Sequence, residues 1–367
     1  METGNKIVAI GMSGGVDSTV AAMLLKRQGF IVVGLTMQIW DNSFPCTATK
    51  SGCYGPNEVN NIEDAKRAAA RLGIDHHVID LRNEYRDVVI EYFRQEYAGG
   101  RTPNPCIMCN TRIKFSALLE KAQASGISFD LFATGHYARV SFDTLSGRYL
   151  LKRGIDTSKD QSYFLYRLTQ RQLASVLFPL GGLKKEEVRA MAKEAGFEEC
   201  LMRQESQDFL EWDDYGILLD GGGKPGNIVD EEGNVIGRHK GIGRYTVGQR
   251  RLLNLAGMKE PYYVLRIDTK RNEIVAGPKR SLIHWTLIAE DLHWLIPFNE
   301  LKYKKLSAQI RYRSIPTQCE VAMMEDETVK VIFVNPQEAI TPGQSVVFYE
   351  DDIVVGGGII KGVVENK

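Results

Sequence analysis

A short apolar run, Ile7-Val8-Ala9-Ile10, meets the glycine-rich string Gly11-Met12-Ser13-Gly14-Gly15-Val16-Asp17-Ser18 and leads into Thr19-Val20-Ala21-Ala22-Met23-Leu24-Leu25. The first run suits a strand buried on both faces, and the last suits an apolar helix. Strand, glycine turn and helix in that order open a βαβ unit. They commit the chain to a parallel, doubly wound sheet with ligand at the carboxyl ends of its strands. Gly14 and Gly15 let an anion approach the main chain, Ser13 and Ser18 offer hydroxyls, and the helix start aims unpaired N–H groups outward. Such a loop suits a polyphosphate; the competing reading is an ordinary tight turn. A Walker A loop would carry a lysine after the glycines, and none stands there. Asp17 is the candidate for holding Mg2+ against pyrophosphate.

The alternation continues downstream. Ile31–Met37, His77–Asp80 and Leu131–Thr134 read as further strands, with helices over Ile62–Leu72 and Glu84–Tyr97. Helical character returns over Ser162–Val176, with Asp160 near its N-cap, and over Lys184–Ala195. From residue 208 short strand-like runs alternate with glycine turns, as at Gly221–Gly223, Asp230–Gly233 and Gly241–Gly243. From residue 284 the runs Ser307–Arg313, Val329–Val334, Ser345–Tyr349 and Ile353–Ile360 have the spacing of a small barrel. The expected fold class is therefore α/β: an N-terminal doubly wound parallel sheet, residues 1–207, followed by two small β domains, 208–283 and 284–367.

At 367 residues, 43% hydrophobic and 25% charged, the chain is ordinary globular protein too long for one core. It has no apolar run of about eighteen residues and no signal-peptide pattern over Met1–Lys6, which predicts a cytoplasmic protein without membrane association. Its 46 basic and 46 acidic residues cancel, so nucleic acid can be met only by local patches. Such patches stand at Lys159–Gln161, at Arg238–Lys240 with Arg244, Arg250 and Arg251, and at Lys302–Arg313. Six cysteines (Cys46, Cys53, Cys106, Cys109, Cys200 and Cys319) do not make a disulfide scaffold in so long a chain, and their spacing matters more than their number.

Gly99–Phe115 is the second informative stretch, because Pro103 and Pro105 stiffen a loop ahead of Cys106-Ile107-Met108-Cys109 and a helix. A thiol at a helix start, near Arg112 and Lys114, is expected to have its thiolate favoured, as a sulfur nucleophile requires. A buried structural thiol is the competing reading.

Ser13–Ser18 resembles the loop of enzymes that cleave ATP to AMP and pyrophosphate. Taken with Arg101-Thr102-Pro103-Asn104-Pro105, Cys109-Asn110, Ile113-Lys114-Phe115 and Thr134-Gly135-His136-Tyr137-Ala138, it resembles the tRNA-specific 2-thiouridylase family. Lys159–Phe164, Tyr245–Arg250, Arg311–Arg313, Pro342–Gln344 and Gly356–Gly358 extend the resemblance over nearly the whole chain. It implies an adenine-nucleotide α-hydrolase-like fold and a tRNA-uridine 2-sulfurtransferase. ATP adenylates the C2 oxygen of wobble uridine 34, a persulfide supplies sulfur, and 2-thiouridine, AMP and pyrophosphate result. The chemistry is coherent, since the C2 oxygen is a poor leaving group until AMP is attached.

By the same resemblance Gly11, Met12, Ser13, Gly14, Gly15, Val16, Asp17 and Ser18 hold ATP with Mg2+, and Met37 and Gly135 line the nucleoside. Cys109 corresponds to the sulfur nucleophile, and His136 and Gln344 to residues needed for activity. Contact with tRNA falls on Asn104, Pro105, Cys106, Lys159, Asp160, Gln161, Arg311 and Tyr312. Tyr312, between two arginines, suits stacking on an unpaired base. The implied partners are wobble-uridine tRNAs such as those for lysine, glutamate and glutamine, and a persulfide donor or carrier protein.

The chain departs from the family pattern twice. Asn-Pro-Asp is replaced by Asn104-Pro105-Cys106, and a second catalytic cysteine is replaced by Leu210 at the end of Glu205–Leu210. Leucine cannot form the disulfide that frees sulfur from a persulfide on Cys109. Three replacements are open: Cys106 as resolving thiol, Cys200 carried in by a loop, or a [4Fe-4S] cluster on Cys106, Cys109 and Cys200 with one iron vacant. A four-thiolate zinc site on Cys46, Cys53, Cys106 and Cys109 fits less well, because Cys46 and Cys53 are not spaced as a ribbon knuckle. Two other functions compete: a ligase with the same loop acting on a small molecule, against which the proline-cysteine loop and the β domains argue, and a tRNA-binding paralogue that lost catalysis with its second cysteine.

Overall fold

The computed structural model describes residues 6–44, 48, 50–202, 208–212, 215–219 and 223–364. The chain forms two compact units. One comprises Met1–Val89, Cys106–Asp213 and Asp352–Val354; the other comprises Ile90–Pro105, Asp214–Asp351 and Val355–Lys367.

The first unit opens with β1 (Ile7–Gly11), α1 (Val16–Arg27), β2 (Ile31–Gln38), β3 (Gly52–Tyr54), α2 (Glu58–Leu72), β4 (Asp75–Asp80) and α3 (Arg82–Tyr85). After α4 (Glu91–Ala98), which belongs to the second unit, come α5 (Pro105–Met108), a π-helical stretch over Cys109–Ala117 and α6 (Leu118–Ala124). Then follow β5 (Leu131–Ala133), β6 (Ala138–Asp143), β7 (Arg148–Arg153), α7 (Gln170–Ser175), β8 (Val176–Leu177), α8 (Lys185–Glu194), α9 (Glu198–Met202) and β9 (Asp208–Leu210).

Five strands make a sheet in the order β4-β2-β1-β5-β8, every pair parallel. Val8, Ala9 and Ile10 of the central β1 are fully buried, which is why that run is apolar without alternation. The order reverses at the β1–β5 boundary, the crevice in which open α/β sheets bind ligands. Val20, Ala21 and Leu25 of α1 share one core cluster with Ala65, Ala68 and Ala69 of α2 and Val188 and Ala192 of α8. The alanines let the helices approach closely.

In the second unit β10 (Gly226–Val229), β11 (Val235–His239), β12 (Tyr262–Asp268) and β13 (Glu273–Pro278) form a four-stranded sheet in the order β11-β10-β13-β12. The final strands are β14 (Ile283–Trp294), β15 (Leu306–Gln309), β16 (Thr317–Met323), β17 (Val329–Glu338), β18 (Ser345–Glu350) and β19 (Ile353–Val363). They pair in the order β14-β17-β16-β15-β18-β19, and β14 also pairs with β19, which closes a barrel. The α/β class with small β domains is thus borne out.

Three local expectations change. The helix expected over Ser162–Val176 is a 3-10 turn, Ser162–Leu165, followed by α7, because Thr169 starts a new helix with its own capping box: Thr169 Oγ1 accepts from Gln172 N and Gln172 Oε1 from Thr169 N. The β6–β7 hairpin was not expected. The strand expected over Ser307–Arg313 stops at Gln309, so Arg311 and Tyr312 occupy a turn. Among the described residues no helix is long and apolar enough to cross a membrane.

One packing constraint is testable. A Cβ at the buried Gly181 would lie 1.8 Å from Ala138 O, whereas one at the neighbouring Gly182 would meet nothing. Gly181→Ala is expected to lower stability by about 1–3 kcal/mol and Gly182→Ala by no more than about 0.5 kcal/mol, measured by denaturant titration of the two variants in parallel.

Candidate active site

The loop between β1 and α1 owes its shape to Gly14, which sits at φ +74°, and to Gly15, the extended residue before the helix. Gly15 O accepts hydrogen bonds from Thr19 N (3.2 Å), Thr19 Oγ1 (3.0 Å) and Ser18 Oγ (3.1 Å). Ser18 Oγ also accepts from Ser13 N at 3.2 Å, so this hydroxyl shapes the loop from within, while Ser13 is exposed. Met12 and Val16 turn their side chains into the core, 3% and 5% exposed, and can meet a nucleotide only through their main chain. Gly11 ends β1 beside these residues. The loop keeps the open N–H groups of a helix start, which suit phosphate oxygens.

Asp17, in the first turn of α1, receives Tyr137 Oη at 2.8 Å and the Lys185 ammonium at 2.8 and 2.7 Å on its two oxygens. Lys185 is 7% exposed and opens α8. A lysine that a Walker loop would carry within itself here arrives from another helix, 168 residues away from Asp17. No sequence motif marks Lys185 or Tyr137 for this role. The close approach of Gly135 has a visible cause, since a Cβ there would lie 3.0 Å from Asp17 C and Ser18 N. Met37, half-buried near the end of β2, stands at the same carboxyl edge of the sheet. The loop, Asp17, Met37 and Gly135 therefore belong to one edge of one unit.

His136 follows Gly135 and lies between Phe115 and Phe178, each 6.1 Å away between ring centroids. Burial, reinforced by Lys114, pushes its pKa well below the ordinary 6.5, and Thr134 Oγ1 stands 2.7 Å from Nδ1. The ring is neutral near pH 7.

Cys106 lies in α5, and Cys109 opens the π-helical stretch. The expected thiolate is corrected here. Burial raises the Cys109 pKa to about 11, against a lowering by Lys114 that is too small to compensate. Burial and the neighbouring thiols Cys53 and Cys109 raise Cys106 more strongly still. Lys114 is partly engaged elsewhere, donating to Asn110 Oδ1 at 3.1 Å.

Cys200 is not brought to this pair. It is 7% exposed in the core cluster under α1, with Sγ 3.9 Å from Thr19 Oγ1, and it lines a small cleft with Gly14, Arg67 and Glu199. Among the described residues no three Cys, His, Asp or Glu side chains are placed to hold a metal ion. The set Cys106, Cys109 and Cys200 therefore does not fit an iron–sulfur cluster. Cys46, Glu205, Ser206 and Gln207 lie outside the described residues. Leu210 is fully buried on β9.

Two residues expected to touch tRNA have local partners within the unit. Asp160 accepts from Gly154 N and Ser162 N at 3.1 Å each, and Gln161 Oε1 accepts from Tyr137 N at 3.0 Å. Lys159 beside them is half-buried. In the second unit Gln344 Nε2 donates to Thr102 O (3.1 Å) and Pro103 O (2.9 Å), and Thr102 N donates to Pro342 O (2.8 Å). Gln344 thus braces the loop that carries Asn104 and Pro105. Arg311 and Arg313 are exposed on either side of Tyr312 in the turn after β15.

Family models match in three consecutive blocks: a tRNA methyl transferase HUP domain over residues 6–210, a tRNA methyl transferase PRC-barrel domain over 220–278, and an aminomethyltransferase β-barrel domain over 284–360. The tRNA-specific 2-thiouridylase MnmA of Endomicrobium trichonymphae is 48% identical over 363 residues, 98% of this chain and 100% of that protein. MnmA 2 of Thermoanaerobacter sp. (strain X514) is 47% identical over 98% of this chain and 99% of its own length, and MnmA of Acetivibrio thermocellus is 44% identical over 97% and 99%. The chain belongs to the tRNA-specific 2-thiouridylase family. Membership in this 2-thiouridylase family brings ATP binding with it.

The Asp17–Lys185 pair and His136 each yield a measurement. Lys185→Met removes two charge-assisted hydrogen bonds from a partly exposed carboxylate that keeps the Tyr137 donor, and should cost about 1–3 kcal/mol, read from thermal melts. For His136 the folded pKa is depressed, so below 6.5 the unfolded chain binds a proton that the native protein does not. Its contribution is present above that pH and is lost as pH falls. His136→Phe is therefore expected to lose less stability than the parent between about pH 7 and pH 5, in melts recorded across that range.

Proposed function

We propose that this protein is a tRNA-uridine 2-sulfurtransferase that adenylates the C2 oxygen of wobble uridine 34 with ATP and delivers sulfur from a persulfide on Cys109. The observation that carries this reading is 48% identity, end to end, to a relative named as a tRNA-specific 2-thiouridylase, in a chain whose phosphate-fitting loop and Cys109 lie in one unit.

In this reading the main chain of Gly11–Ser18 receives the pyrophosphate portion of ATP, and Met37 and Gly135 flank the nucleoside. Asp17 would hold Mg2+, which offsets phosphate charge, and Lys185 is the cation already at that position. Once AMP sits on the base, the C2 carbon is open to attack and the nucleotide can leave. Cys109 carries the sulfur there; its high thiol pKa means that a persulfide, intrinsically more acidic, is the species suited to a buried nucleophile. Neutral His136 can accept or donate one hydrogen bond beside Thr134 without adding charge.

Arg311 and Tyr312 supply a cationic and a stacking group for tRNA, and Lys159 supplies a second cation. Wobble-uridine tRNAs and a persulfide donor or carrier protein are the partners, met in the cytoplasm. A small-molecule ligase would have no use for the β domains of the second unit, and loss of catalysis is not required by Leu210 if another thiol is at hand.

Filter binding and nucleotide titration separate the two substrates. Arg311→Ala is expected to weaken tRNA binding about tenfold with ATP binding unchanged, and Asp17→Ala to do the reverse. Cys109→Ser should abolish 2-thiouridine in a single turnover while leaving pyrophosphate release, the mark of adenylation, intact; thiouridine persisting in that variant would sink the assignment of the nucleophile.

A further inference from the structure

Thr36 belongs to no motif used so far, yet its side chain ties β2 to the glycine loop. It is 5% exposed, and its hydroxyl donates to Met12 O at 2.8 Å. Met12 N in turn donates to Leu35 O at 2.8 Å. Both main-chain groups of Met12 are thus engaged by β2. Met12 has no N–H to offer a phosphate; it fixes the point at which the glycine loop leaves the sheet.

The hydroxyl is itself held. His76 Nε2 stands 2.8 Å from Thr36 Oγ1. The single Thr36 proton goes to Met12 O, which can only accept, so the imidazole is the donor to Oγ1 and carries its hydrogen on Nε2. Burial, together with His77 and Lys66, lowers the pKa of His76, so the ring is neutral near pH 7 and this tautomer is the one present. His76 lies on β4 directly opposite Gly34 of β2. A Cβ on Gly34 would lie 2.8 Å from Met12 Sδ and 3.0 Å from His76 Cδ2, so the missing side chain leaves room for the ring to reach across to the threonine. The polar contacts run from His76 on β4, through Thr36 on β2, to the residue that follows β1.

Thr36 directly precedes Met37, which flanks the nucleoside in the reading above, and Met12 directly precedes Ser13-Gly14-Gly15 of the phosphate-fitting loop. One hydroxyl therefore sets the offset between the place for the nucleoside and the place for the phosphates. We propose that Thr36, oriented by His76, is a positioning residue that keeps these two places in register, so that a nucleotide spanning both depends on the hydroxyl while a nucleoside does not. This rests on the reading in which Met37 and the glycine loop receive ATP. Without the hydroxyl, Met12 O and the His76 N–H lose their partner in a buried site, which favours a shift of the loop toward other partners. No contact to ATP is removed; the spacing between two sets of contacts changes.

The test titrates the full-length protein with ATP and, separately, with adenosine. Thr36→Val should bind ATP about tenfold more weakly while adenosine stays within about twofold of the parent. Thr36→Ser, which keeps the hydroxyl, should restore ATP binding. His76→Leu should weaken ATP about threefold, and His76→Gln, whose amide N–H can stand in for Nε2–H, should bind it as the parent does. Equal losses for ATP and adenosine in Thr36→Val, or no recovery in Thr36→Ser, overturn the proposal, because the residue then only supports the fold. If Thr36→Val fails to fold, the His76 pair decides by the same comparison: equal ATP binding in Leu and Gln variants overturns it. Adenosine bound by Met37→Asp as tightly as by the parent overturns the placement of the nucleoside beside β2, a failure distinct from that of the Thr36 comparison.

Discussion

Asp17 is the point on which the first unit turns. It belongs to the first turn of α1, and its carboxylate collects a hydroxyl from Tyr137 and an ammonium from Lys185. Three segments remote in sequence, the glycine loop, the turn after β5 and the start of α8, are tied to one pair of oxygens. The arrangement also explains the missing lysine of the loop. Lys185, held by Asp17, is a cation kept beside the N-terminus of α1. Gly135 permits this closeness, since any side chain there would press on the backbone of Asp17 and Ser18.

The sulfur side obeys a different balance. Lys114 and the helix start both favour a thiolate at Cys109, yet burial is the larger effect and leaves the thiol protonated near neutrality. Such a thiol is inert until it carries a sulfane sulfur, whose acidity is its own. Gln344 contributes at the level of the backbone: it binds Thr102 O and Pro103 O in a loop where Pro103 and Pro105 supply no N–H donors.

Much of the first unit was legible because one period dominates it. Buried parallel strands such as Ile7–Gly11 are continuously apolar, α1 is apolar where it meets the sheet, and the glycine loop lies between them. The β6–β7 hairpin was hidden because Ala138–Arg153 is half polar and only its Gly147 turn signals a reversal. The break before α7 depended on a side-chain cap, which competes with helical periodicity at a cost too fine for a pattern to reveal. Lys185 was invisible for a deeper reason. It acts through a partner 168 residues away, and nothing local distinguishes such a lysine from any other. The thiolate expectation failed because charge can be counted along a chain while desolvation cannot.

The β3–β9 pair, Gly52 opposite Asp208 and Tyr54 opposite Leu210, has a consequence for the order of folding. Lys50 and Asp208 are 158 residues apart, so closing that ladder carries the entropy of a very long loop and can follow only after the parallel sheet exists to hold both segments. A ribosome-bound chain that has not yet emerged through Leu210 holds β3 without the strand it pairs with. The ladder can form only once the chain is out as far as Leu210, long after the residues of the nucleotide loop.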